Sequence, residues 1–148
     1  QGEFDLMTSD YVSHPQHFNH MVEAFRRDLK QYHSQLNNIT DAPWFCGDTT
    51  WYWKENFPHA YEAIYGNYQN NVLANIIFVD FQQQGERGLT NAPDEDPDDL
   101  STGYYGSAYR SPENWTTALR SSHFSAAARR GIISDSFVEA ILQFLREK

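Results

Sequence analysis

Residues 67–84 read NYQNNVLANIIFVDFQQQ, and the fold turns on how this stretch is read. It contains no Gly or Pro, yet it gathers Ile76, Ile77, Phe78, Val79 and Phe81. On a helix, Tyr68, Val72, Ile76 and Val79 align and Gly85 supplies the stop. As a strand, the β-branched and aromatic run suits a pleated, half-buried surface. A strand needs partners, and valine and isoleucine together number twelve in 148 residues, which is thin for a large sheet. We therefore read 67–84 as helix and the protein as mainly α, a compact single-domain helical bundle. The alternative is an α+β fold with a small sheet that includes residues 75–81.

Working upstream, Gly66 closes a short predicted helix, 59–65, that turns Tyr61, Ile64 and Tyr65 inward, with Pro58 near its first position. Asp48, Thr49 or Thr50 caps a helical turn carrying Trp51, Tyr52 and Trp53. Residues 39–47 read as irregular, because Pro43 biases Ala42 away from helical geometry. The clearest periodic signal lies at 13–36. Ser13 is placed as an N-cap, Pro15 follows, Gln16 completes a capping box, and Phe18, Met21, Val22, Phe25, Leu29, Tyr32 and Leu36 recur at steps of three and four. Arg26, Arg27, Lys30 and Gln31 fall to the other side.

Downstream, residues 85–111 turn to Gly, Pro, Asp, Ser and Tyr without sustained periodicity. Such a loop exceeds the roughly 12–15 residues usual in compact domains. Ser111-Pro112-Glu113 opens a helix with Trp115 and Leu119 that Gly131 ends. Ser134 or Asp135 then caps a last helix with Phe137, Val138, Ile141, Leu142 and Leu145 on one side.

A chain of 148 residues is long enough to bury about 68–70% of its unfolded surface in one core. Residues 1–6 read as an expression scar before a native start at Met7, leaving 7–148 as a single globular domain with a loop at 85–111. No signal-like segment follows Met7, and a lone cysteine, Cys46, fits a reducing compartment, so a cytoplasmic location is expected. The formal charge of −9 argues against nucleic acid as a partner, since phosphate binding rests on Lys and Arg.

Four groups of residues invite a chemical reading. Cys46 could be a nucleophile if His59 or His123 supplied a base, giving a small cysteine-dependent hydrolase or transferase. A cysteine among aromatics is more often a small buried apolar residue. His14, His17 and His20 stand three apart, so two of them could share a metal, although a polar helix end reads the same way. Asp94, Glu95, Asp96, Asp98 and Asp99 resemble a calcium loop only superficially, because Asp99 stands where the EF-hand needs Gly. With Tyr104, Tyr105 and Tyr109 as aromatic anchors, this acidic segment reads as a contact element for a basic protein. The expectation from sequence is an acidic, non-enzymatic protein-interaction domain of the inhibitor, antitoxin or immunity type. It would bind one protein partner, need no cofactor and not engage a membrane.

Overall fold

A computed structural model describes residues 3–32, 42–49, 51–80 and 131–147. The chain divides into two compact units, Gln1–Cys46 with Phe57–Phe78, and Gly47–Asn56 with Val79–Lys148.

The first unit opens with α1 (Glu3–Leu6), which buries Leu6, and a 3-10 turn (Ser9–Val12). The Thr8 hydroxyl caps that turn by accepting from the Asp10 amide at 3.2 Å. Helix α2 (His14–Lys30) starts next, with Pro15 in its first turn and Arg27 and Lys30 in its last. Both placements complement the helix's unsatisfied ends and dipole. Phe18, Val22 and Arg26, one turn apart, form its buried stripe.

Helices α4 (Pro58–Tyr61) and α5 (Asn67–Gln69) are joined without a break by a π-helical turn (Glu62–Gly66). This run buries Ala60, Tyr61, Ile64, Tyr65 and Tyr68, the spacing of one helical face. Helix α2 packs against the π turn, and α1 against α4. The rings join into a chain: Tyr61 stacks on Tyr65 at 4.9 Å, Tyr65 meets Tyr68 edge-on at 5.5 Å, and Tyr68 meets Phe18 at 4.7 Å. Phe18 then contacts Trp44 at 6.2 Å. Each such ring pair adds about 0.5–1.5 kcal/mol to what its burial contributes.

Strands β1 (Trp44–Gly47) and β2 (Ile76–Val79) form a two-stranded sheet. The Trp44 amide donates to Asn75 O and the Asp48 amide to Val79 O, each at 2.9 Å. Both partners advance by four residues together, so the strands are parallel. Arg26 pins their entry: its Nη2 donates to Ala42 O at 2.8 Å and to Ala74 O at 2.7 Å. Asn75, at φ 58°, makes the turn into β2 in the left-handed region that asparagine tolerates better than most residues.

In the second unit, Asp48 and Thr49 follow β1 and are buried, and Trp53 on α3 (Trp51–Asn56) is buried as well. Helix α6 spans Ile132–Arg146. Among the described residues, no helix is long and apolar enough to cross a membrane.

The fold is therefore mostly helical with a small parallel sheet, and the α+β alternative fits better than a pure helical bundle. Two sequence readings are corrected together. Residues 76–79 form a strand because 44–47, read as irregular, supplies the parallel partner that the strand reading lacked. Among the described residues of the predicted helix, only 67–69 are helical, and Gly66 does not stop the preceding helix, which continues through the π turn. Ser13 stands at the N-cap of α2 as read, and its carbonyl accepts from the His17 amide at 3.0 Å, but its hydroxyl makes no capping bond and donates instead to Asp10 O at 3.1 Å. Helix α6 begins before Ser134 and Asp135, which lie inside it. On α2, Met21, Phe25 and Leu29 are exposed, as is Tyr32 in the turn that follows, and Arg26, expected outside, is buried. Helix α1, within the segment set aside, packs inside the first unit. The expected helix at 111–130 and the loop at 85–111 lie outside the described residues.

Candidate functional site

Two polar groupings stand out, one in each unit. In the first unit, α1 presents Asp5, the start of α2 presents His14, and α5 presents Tyr68. Asp5 Oδ2 lies 2.6 Å from His14 Nδ1, and Tyr68 Oη lies 2.7 Å from His14 Nε2. Burial is the main cause that pushes the Tyr68 phenol well above its ordinary pKa, with the charges of Cys46, Asp5 and Glu3 adding to it. The phenol therefore keeps its proton at neutral pH. A consistent network follows: His14 Nδ1–H donates to the Asp5 carboxylate, and Tyr68 O–H donates to Nε2. The carboxylate–imidazole pair has the form of an oriented base. Its outward nitrogen, however, is occupied by Tyr68, so the trio ties α1, α2 and α5 together and holds no free lone pair for a substrate.

In the second unit, Asp48 and Thr49 follow the carboxyl end of β1, and Asp80 follows that of β2. Asp48 is 6% and Thr49 1% exposed, and Asp48 Oδ1 accepts from the Thr49 amide at 2.7 Å. Polar side chains just past the carboxyl ends of parallel strands occupy the place where α/β sheets bind ligands. This is the candidate site.

The residues singled out from sequence are dispersed. Cys46 sits half-buried in β1, and burial pushes its thiol up to about 11. At pH 7 such a thiol is only about one part in ten thousand thiolate. His59 is exposed in the first turn of α4, and His123 lies outside the described residues. His14 uses both ring nitrogens within the trio, while His17 and His20 are exposed on α2. Among the described residues, no group of three or more His, Cys, Asp or Glu side chains could hold a metal ion. Asp94, Glu95, Asp96, Asp98, Asp99, Tyr104, Tyr105 and Tyr109 all lie outside the described residues. Sequence reasoning missed both groupings. Asp5 fell in the segment set aside, and Tyr68 was read as part of an apolar helix face with no polar role. The Asp48-Thr49 pair was read as a helix cap, although its position after a strand is what gives it meaning.

A mainly helical α+β protein with a parallel strand pair, and polar side chains past its carboxyl ends, is the class that these features define. Along its whole length the chain is 96% identical over 148 residues to a protein of Escherichia coli (strain K12) described as "Probable 9-O-acetyl-N-acetylneuraminic acid deacetylase". It also superposes on the crystal structure of NanS with a TM-score of 0.78 and 93% identity, again over 100% of this chain. In both comparisons the chain spans 45% of the relative's own length. No protein-family model matches the chain.

These matches overturn the expectation of a non-enzymatic interaction domain of the inhibitor, antitoxin or immunity type. The 96% identical relative is described as an enzyme. They also overturn the expected basic protein partner, since that relative's name specifies a small-molecule substrate. The error has a physical source: a charge of −9 disfavours nucleic acid but serves solubility as readily as recognition.

Proposed function

We propose that this chain forms part of a carbohydrate esterase that hydrolyses the O-acetyl ester of 9-O-acetyl-N-acetylneuraminic acid, consuming water and releasing acetate and the free 9-hydroxyl. One observation carries this reading, the 96% identity to the deacetylase across every residue of the chain. Ester hydrolysis near neutral pH asks for a base whose pKa lies near 7, a role that histidine fills most often. Of the two histidines singled out as bases, His59 is exposed on α4, so we assign the role to His123. Cys46 is a poor nucleophile with its thiol near 11. Asp48, Thr49 and Asp80 are assigned to the wall of the site at the strand ends.

A chimera tests the reading: the longer relative carrying these 148 residues in place of its own matching segment. Acetate release from 9-O-acetyl-N-acetylneuraminic acid should persist in the chimera at a rate comparable to the relative's. A folded chimera that releases no acetate, beside an active relative, would refute the proposal.

A further inference from the structure

Helix α2 carries a wider apolar arc than its own unit covers. Phe18 and Val22 are buried, whereas Met21, Phe25, Leu29 and, in the turn that follows the helix, Tyr32 are 42%, 54%, 37% and 63% exposed. At helical periodicity Met21, Phe25 and Leu29 fall within an arc of about 80° that runs into the buried stripe. They therefore extend the core face and are not scattered surface residues. Phe25 also meets Trp44 edge-on at 5.6 Å, so the face continues onto β1. Arg27 and Lys30 lie on the opposite side of the helix. In the second unit, α6 shows the same pattern on its own, with Val138, Ile141, Leu142 and Leu145 between 40% and 63% exposed. Isolated surface apolar residues need no explanation, but a contiguous stripe marks a contact.

What covers it follows from length and charge. More than half of a polypeptide that is 96% identical to this chain lies outside the match. A second copy would instead bring together two bodies each carrying −9, which opposes association. We infer that the face formed by Met21, Phe25, Leu29 and Tyr32 is the seat of the remainder of the longer polypeptide, which packs on it as core. The inference rests on the reading of the chain as part of that longer esterase.

Hydroxyl-radical footprinting tests it without substrate, on three proteins: this chain alone, the chimera, and the unmodified relative. In the chain alone Met21, Phe25 and Tyr32 should be oxidised readily. In the chimera and at the matching positions of the relative, labelling should fall by roughly fivefold or more, because side-chain oxidation follows exposure. Equal labelling in the short and long proteins would show the face to be free and overturn the inference. So would protection of the short chain that grows with its concentration, which would mean that a second copy covers it. Protection without acetate release would keep this inference and remove only the esterase reading.

Discussion

Tyr68 donates the hydrogen bond that closes the Asp5–His14–Tyr68 trio, so Tyr68→Phe leaves the part-buried His14 Nε2 without that donor while keeping the ring contact with Phe18. The expected loss is about 1–2 kcal/mol in chemical unfolding, with no change in helix content by circular dichroism. An unchanged midpoint would mean that the trio is not a clamp. At Cys46 the raised pKa works on stability through pH. Below the thiol's ordinary value both folded and unfolded states hold the proton, and the contribution is complete. As pH rises from about 9 toward about 11, the unfolded chain ionises first and stability falls. Cys46→Ala should flatten that part of the stability profile, and the native thiol should react slowly with a disulfide reagent at pH 7 compared with the unfolded chain. Fast native labelling would contradict the buried environment.

At the scale of elements, Arg26 and Asn75 set how the strands are entered. Arg26 donates to Ala42 O and Ala74 O from one nitrogen, so Arg26→Met removes the link between the two strand entries and leaves both carbonyls to water. It should cost about 1–2 kcal/mol. Hydrogen exchange at the Trp44 amide, which bonds to Asn75 O, should accelerate before that of α2. Uniform acceleration throughout would assign Arg26 a general packing role instead. At Asn75 the left-handed backbone makes Asn75→Gly nearly neutral, while Asn75→Val should cost about 1–2 kcal/mol. Thermal unfolding of the two variants distinguishes them.

The same elements show what could be read from sequence. The inward face of 58–69 was legible, because Tyr61, Ile64 and Tyr65 follow helical spacing without ambiguity. The start at Pro58 was legible for a local reason too, since proline fits a first helical position. The strands were not, because a parallel pair joins residues about thirty apart and neither run announces its partner. β1 is short, includes Gly47, and follows Pro43, all of which look like loop chemistry in isolation. The trio was hidden for a related reason: Asp5, His14 and Tyr68 come from three separate segments, and only the packing of α1, α2 and α5 brings them within hydrogen-bond reach. The stripe on α2 misled in another way. Periodicity locates an apolar face but does not say whether this unit or another part of a longer chain covers it.

For the whole molecule, composition and charge set limits without naming a function. Acidity and a single cysteine fit an enzyme as well as an inhibitor, and the chemistry of an esterase needs few residues, which sequence spacing need not betray. His123 is proposed as the base of ester hydrolysis, a role in which one residue contributes a rate factor of about 10²–10⁴. The most direct test is acetate release from 9-O-acetyl-N-acetylneuraminic acid, followed by the acetate methyl signal in proton NMR. The longer relative carrying these 148 residues would be compared with the same protein bearing His123→Ala. The first should release acetate and the second should lose at least about a hundredfold in rate, with unfolding midpoints unchanged. Absence of release from the folded parent chimera, or full activity in the His123→Ala variant, would contradict the proposal.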